Sequence, residues 1–424
     1  MTHSVTPPSQ FSTTEDTPPE PRPSRLSAGT SLAVIRSASE LDLLEREWDR
    51  LLDSCEYATP FMSWEWYRHW WGHYGQGHRV SAAVLRDTDG ELVGVIPLMS
   101  LPKSPLTPRE LRYLGSYRSS GIGYTDFLLR PGFEDVGLDL FASELAGDAS
   151  WDRIRLTRLR ADSPNLARLC RAATANNMRV EVREDTWGRI APLPDSYEDY
   201  LKTLGTESRR QLRRRTDRLF RSHRAAFKVL QSEAEVRDSI SWFMRHKRTR
   251  LHEKREWTRL DHPGYADFLL DFCLGMLRKK RLRIFALEVD GKLACCQPSL
   301  ATGDTVTFWY AAYDPAYQSD RVNDVCTGLS LRACIDEGFK VADYMQSEHP
   351  HKRHYAKERQ QVVRVDIYRP RLRSLMLEGM THLAAPVWYG VRGMLPHGVL
   401  GRVSRLLKRD IAPTRGKSQP ADAD

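Results

Sequence analysis

Between Glu348 and Tyr355 the sequence reads Glu-His-Pro-His-Lys-Arg-His-Tyr, so one carboxylate, three imidazoles, two cations and a phenol lie within eight residues. Such a set suits proton transfer and substrate binding. It suits a metal poorly, because neither a cysteine nor a second ligand cluster stands at a metal-binding spacing, and no metal is expected. A second polar group precedes it: Tyr310, Tyr313, Asp314 and Tyr317, then Arg321, Val322, Asn323 and Asp324. Asp314-Pro315 starts a turn. Val322–Val325 opens a helix, whose free N–H groups and partial positive charge attract phosphate.

These residues are positioned by one run of elements. Thr305–Tyr313 reads as a strand from its threonine, valine and aromatic content. Val322–Gly338 reads as a helix through Val325, Leu329 and Ala333, with Gly338 as its stop, and Val341–Met345 reads as a second strand. Strand, helix and strand make a βαβ unit, and ligands settle in the loops at its carboxyl ends. Before it runs a meander, Leu282–Val289, Lys292–Leu300 and Thr305–Tyr313, with turns at Asp290-Gly291 and Gly303-Asp304. Val362–Tyr368 is a last strand.

The chain has 424 residues and 41% apolar content, which predicts two globular domains. Its net charge of +9 permits an anionic partner. The seven cysteines include no CxxC pair and mostly lie in apolar runs, as reduced core thiols of a cytoplasmic protein would. Neither a membrane-spanning run nor a secretory leader is visible. Residues 1–30, rich in Pro, Ser and Thr, read as a disordered tail.

The first domain is expected over 31–194. It starts with a strand at Leu32–Ile35 and a helix at Glu40–Asp53. Ser63 caps a helix from Trp64, whose aromatic neighbours read as core. A hairpin follows (Val80–Leu85 and Leu92–Met99), then strands at Leu111–Leu114, Tyr124–Leu129, Arg153–Leu159 and Met178–Arg183, and a helix at Asn165–Ala175. The second domain is expected over 195–370. It begins with a short helix, Ser196–Leu204, and an arginine-rich helix over Ser208–Lys228 that either presents a solvated face or binds an anion. No RNA-binding aromatic signature accompanies that helix, which argues against nucleic acid. Helices at Val236–Leu251 and Tyr265–Arg278 lead into the meander. Residues 371–408 form a basic amphipathic segment that either packs on the domain or lies on a membrane surface, which would make the protein peripheral to the inner membrane. Residues 412–424 read as disordered.

In order and content these pieces resemble the GNAT-superfamily N-acetyltransferase core. In particular they resemble the acetyltransferase-like (CelD-like) domain of bacterial proteins associated with cellulose and exopolysaccharide synthesis, a relative of the Fem-type aminoacyltransferases. The resemblance rests on the Ser208–Leu219 arginine helix, Asp290-Gly291-Lys292, Tyr310, Tyr313-Asp314-Pro315-Ala316-Tyr317, Glu337-Gly338, and Asp343 followed by Glu348, Pro350 and Lys352. In the first half it rests on Phe61, Ser63, Trp64, Trp70, Trp71, Ile96-Pro97-Leu98 and Tyr124-Thr125-Asp126-Phe127. It spans about residues 31–370. It departs from the family where Arg321-Val322-Asn323 replaces Ser-Pro-Gly, and where Ser347 and His351 replace Gly and Tyr. There Asn323 is expected to take the left-handed backbone that glycine supplies.

The resemblance implies an α/β (α+β) fold of two tandem GNAT-like domains, each a mixed sheet flanked by helices. It implies an enzyme that moves an acyl group from acetyl-CoA or another acyl-CoA, as co-substrate, to the amine of an amino sugar or similar small acceptor. Two alternatives stand beside it: a non-catalytic scaffold for polysaccharide assembly, and Fem-like transfer from aminoacyl-tRNA. Thioester aminolysis needs a neutral amine, an aligned thioester and donors for the oxyanion. Asp314 or Glu348 would accept the amine proton, and Tyr355 or Tyr317 would protonate the leaving thiolate. Tyr310, Arg321, Val322, Asn323 and Asp324 would hold the cofactor. Tyr313, Tyr317, His351 and Lys352 would hold the substrate.

Overall fold

The computed structural model describes residues 29–101, 108–116, 121–253, 259–346 and 350–369. The amino-terminal tail to residue 28, Glu348 and the amphipathic segment 371–408 therefore lie outside the described residues.

The first half runs β1 (Ser31–Ile35), α1 (Ala38–Asp42), α2 (Glu45–Ser54), α3 (Trp64–Tyr74), β2 (Arg79–Arg86), β3 (Leu92–Ser100), β4 (Glu110–Tyr113), β5 (Leu128–Leu129), α4 (Glu134–Gly147), β6 (Arg153–Arg160), α5 (Pro164–Ala175) and β7 (Arg179–Pro192). The second half runs α6 (Tyr197–Thr203), α7 (Thr206–Ser222), β8 (Ala225–Leu230), α8 (Glu233–Glu253), α9 (Tyr265–Arg278), β9 (Leu282–Val289), β10 (Lys292–Thr302), β11 (Thr305–Phe308), β12 (Ala312–Tyr313), α10 (Val322–Asp336), β13 (Val341–Gln346), α11 (Pro350–Tyr355) and β14 (Glu358–Tyr368).

Several local expectations change. The expected helix Glu40–Asp53 divides into α1 and α2, and of the expected strand Tyr124–Leu129 only Leu128–Leu129 pairs as β5. The arginine-rich helix ends at Ser222, and Ala225–Leu230 pairs with β9 as an edge strand. Its Ala-Ala-Phe-Lys-Val-Leu run is half-buried apart from the exposed Lys228 and the buried Leu230, and a lysine on the strand suits an edge. The expected strand Thr305–Tyr313 breaks into β11 and β12 around Trp309–Ala311.

All strands join one mixed sheet in the order β1-β2-β3-β4-β6-β14-β7-β13-β11-β10-β9-β8, with β5 on β3 and β12 on β10. The order is a repeat about its centre. In each half an antiparallel meander leads to a parallel pair, β4 with β6 and β11 with β13. The last strand of each half crosses into the other: β14 pairs with β6, and β7 pairs with β13. Alternate residues of β9 face two cores, Leu282, Ile284 and Ala286 one, Phe285, Leu287 and Val289 the other.

The halves also meet through aromatic rings. Trp66 of α3 is fully buried, with ring centroids 5.4 Å from Phe268 and 5.1 Å from Phe272 of α9, 5.1 Å from Phe61 and 6.1 Å from Trp309. Beside this cluster, Lys279 bonds Glu45 at 2.8 Å and Asp49 at 2.5 Å and stands 3.6 Å from the buried Glu65. Those three carboxylates are the acidic group closest to a metal-binding arrangement among the described residues, and the Lys279 ammonium sits among them.

Candidate functional site

Strands β11 and β13 pair only over Thr305–Thr307 against Val341–Asp343. Beyond that point they part. Strand β12 continues along β10, with Cys295 opposite Tyr313. Strand β13 bulges between Asp343 and Gln346, and Met345 takes a left-handed φ of 57°. That conformation costs a non-glycine residue roughly 1–2 kcal/mol. The buried Asp343 offsets part of it, since its carboxylate accepts the Met345 N–H at 2.7 Å. Burial pushes the Asp343 carboxyl up to about 6, against the Met345 N–H and the charges of Lys352 and Arg160.

A cavity of about 550 Å³ opens where the strands part. Trp309, Tyr310 and Tyr313 form one wall, the start of α10 (Arg321–Asp324) another, and Tyr344, Lys352 and Tyr355 a third. Helix α8 closes it with Lys247 and Arg250. The cavity thus collects eight of the residues singled out in the sequence: Tyr310, Tyr313, Arg321, Val322, Asn323, Asp324, Lys352 and Tyr355.

Two others stand off the wall. Asp314 accepts the Ala316 N–H at 2.9 Å and so caps a short 3₁₀ turn, with His246 at 3.9 Å. The Tyr317 hydroxyl reaches the Val289 carbonyl at 3.5 Å. The His351 backbone lies in α11.

Helix α10 begins with the left-handed residue at Arg321 (φ 54°, ψ 38°) rather than at Asn323. The chain turns two positions earlier than expected, which brings Asn323 inside the first helical turn. There Asn323 Oδ1 lies 3.4 Å from Gln297 Nε2. Gln297 is buried, also donates to Thr327 Oγ1 at 2.8 Å, and accepts from Ser330 at 3.2 Å. This network fixes the Asn323 amide with its oxygen toward β10, which leaves its NH₂ as a donor at the cavity. Asp324 accepts from Arg215 of α7 at 2.7 Å, so the one acid of the wall among the described residues is already paired. The arginine helix thereby braces the site. Gly328 lets the two helices approach: a Cβ there would stand 2.9 Å from Leu212.

Lys352 donates to the Tyr344 carbonyl. Burial pulls its ammonium down to about 8, with Asp343 acting in the opposite sense. The Tyr355 phenol is buried and pushed well above its usual range, by burial first and by Asp324 second, so it stays protonated. Its hydroxyl points to the Asp324 carbonyl at 3.4 Å. Phe308, Tyr344 and Tyr355 form a run of near-parallel rings, with centroids 4.9 and 6.3 Å apart. Such a site offers a neutralisable amine, a protonated phenol, helix-start N–H groups and cations around an apolar floor. That set matches what aminolysis of an activated acyl group requires.

The first half contributes support. The Gly121 carbonyl accepts from the Trp309 indole at 2.9 Å, and Arg158 donates to Gln346 at 2.8 Å. Lys247 and Arg250 fall within the helix expected at Val236–Leu251, and Gln297, Trp309 and Tyr344 are not among the expected site residues. Their partners are remote in sequence, and no local spacing marks them.

Residues 206–353 match the family model described as an acetyltransferase (GNAT) domain. No curated protein matches the chain. Several solved structures share the fold at low identity. The crystal structure of FemX aligns with a TM-score of 0.56 at 11% identity, covering 76% of this chain and 95% of that one. The carboxyl-terminal domain of a putative lysylphosphatidylglycerol synthetase from Agrobacterium fabrum aligns at 0.51 and 11%, covering 81% and 97%. A Bacteroides thetaiotaomicron protein of unknown function aligns at 0.52 and 9%, covering 80% and 100%. The matched span holds every wall residue of the cavity except Tyr355. Domain match and fold together support an N-acyltransferase of the GNAT type.

Proposed function

We propose that the chain transfers an acyl group, acetyl from acetyl-CoA in the simplest case, to the amino group of an amino sugar or similar small acceptor. The observation that carries this reading is the cavity at the parted strands, with the α10 start on one wall and Lys352 and Tyr355 on another. A role in exopolysaccharide synthesis, in the manner of the CelD-like proteins, is part of the same proposal.

In this reading the diphosphate of the donor lies against Arg321, the Val322 and Asn323 N–H groups and the Asn323 NH₂. The amine nitrogen attacks the thioester carbon. As the C–N bond forms, neutral Lys352 takes the amine proton, and as the C–S bond breaks, Tyr355 protonates the thiolate. The proton acceptor is placed on Lys352 because Asp314 stands off the cavity wall and caps a turn.

Transfer from an aminoacyl-tRNA is a second reading. It is favoured by the exposed Arg214 and Arg221 of α7 and by the likeness to FemX in fold.

Calorimetry with acetyl-CoA, and with a longer acyl-CoA, separates the two. Saturable binding weakened about tenfold in Arg321→Ala is expected, which is what one charge-assisted phosphate contact contributes. No binding to folded protein would shift the donor to tRNA, where affinity would fall steeply with salt.

A further inference from the structure

Arginines with carboxylate partners are the pattern across this protein: Arg109 bonds Asp152, Arg153 bonds Glu110, Arg155 bonds Asp366 and Arg281 bonds Asp53. Arg250 and Arg321 differ. Each lines the cavity, and neither has an ion pair with a carboxylate among the described residues. Arg250 instead sits over the Tyr313 ring, its guanidinium carbon 4.6 Å from the ring centroid. A guanidinium held over a ring keeps N–H groups available to a planar or tetrahedral anion. One turn earlier on α8, Lys247 is anchored to the Ala311 carbonyl at 3.0 Å. Arg250, Arg321 and Lys247 thus bring three cations to a cavity whose only acid among the described residues, Asp324, is paired with Arg215.

The two arginines belong to different elements. Arg321 begins α10, where the donor phosphates are placed by the reading above. Arg250 extends from α8, the helix that closes the cavity from another wall. A single diphosphate at the α10 start leaves the second guanidinium without a counter-charge. A cavity of this volume holds a small acceptor beside the reacting end of the donor.

We infer that the acceptor is an amine that also carries an anionic group, a carboxylate or a phosphate, and that Arg250, seated over Tyr313, is the residue that selects it. The inference rests on the proposed acyltransferase reading for the position of the donor. Charge selection of this kind would exclude neutral amines even when their shape fits.

The test uses matched amines and the full chain. Glucosamine 6-phosphate is compared with glucosamine, and 6-aminohexanoate with 6-aminohexanamide, by calorimetry and by thiol release from acetyl-CoA. The anionic member of at least one pair is expected to bind about 10- to 100-fold more tightly than its neutral partner, the range for one charge-assisted pair. The pair that shows the preference tells phosphate from carboxylate. Arg250→Ala is expected to erase that preference without changing acetyl-CoA affinity, and Arg250→Lys to restore part of it. Arg237→Ala, on the exposed face of the same helix, removes the same charge and is expected to keep it. Equal binding of both members of both pairs, no binding of either anion, or a preference unchanged in Arg250→Ala would overturn the inference. Failure of thiol release with intact anion selection would instead count against acetyl-CoA as donor.

Discussion

Lys352→Met is expected to lower the turnover number about 10²- to 10⁴-fold, the range for a positioned proton acceptor. The donor dissociation constant should change little, because Arg321 and the α10 start hold the donor. The wild-type rate should rise with pH through about 8 and level off above it, as the buried ammonium loses its proton. That limb should vanish in the variant, and a pH profile of transfer under saturating substrates reads both effects. The stability argument has its own sign. The folded value lies below the ordinary lysine value, so the unfolded chain binds the extra proton between about 8 and 10.5. Stability from this group is therefore fully present above that window and is lost as pH falls through it. Lys352→Met should accordingly be at least as stable as wild type at pH 7, so lost activity would not reflect unfolding. A fully active Lys352→Met protein would remove Lys352 from the chemistry.

Trp66→Ala is expected to destabilise the protein by about 3–5 kcal/mol, the cost of emptying a buried large aromatic site. Trp66 is fully buried at the contact between α3 and α9, and its ring meets Phe268, Phe272 and Trp309 of the second half. Trp309 is itself a cavity wall. Loss of Trp66 should therefore lower activity even below the melting transition, through displacement of Trp309. Trp66→Phe should cost much less, since it keeps most of the ring contact and removes an indole N–H that has no hydrogen-bond acceptor. Denaturant titration of the three proteins decides the matter, and equal midpoints would refute the central role given to this ring.

Much of this architecture was legible in the residues. The Asp290-Gly291 and Gly303-Asp304 turns, with β-rich runs around them, placed β9 and β10 within two residues and fixed the start of β11. Tyr265–Arg278 was bounded to the residue, because its apolar stripe is uninterrupted. Helix α4 was missed. Its first turn, Glu-Asp-Val-Gly, carries a mid-helix glycine, and its side-chain cap is absent. Yet Gly137 suits the close packing there, because a Cβ would stand 2.9 Å from the Leu129 side chain, which would have to shift. The three-residue break at β11–β12 and the bulge after Asp343 were equally invisible. Both come from the parting of strands, which is a tertiary event with no local composition.

For the site, the segment 310–324 and the residues Lys352 and Tyr355 were found as a group because they follow one βαβ unit. The roles were not legible. Asp314 read both as a turn starter and as a candidate base, and the fold shows its carboxylate engaged with the Ala316 N–H. The contribution of Arg250 required seeing α8 across the cavity, some sixty residues earlier in the chain than Tyr313.

The exchange of β7 and β14 has a consequence for how this protein is made. Strand β6 ends at Arg160, but its neighbour β14 begins at Glu358, so Ile154 must wait for Ile367. During synthesis the first half emerges with an open sheet edge that only the last described strand can cover. Pairings of such sequence separation are slow, and uncovered edges recruit other chains. The nascent first half is thus the most aggregation-prone stage in the life of the molecule. A chain released short of residue 358 would leave that edge permanently open, and it would be a target for chaperones and proteases rather than a half-sized enzyme.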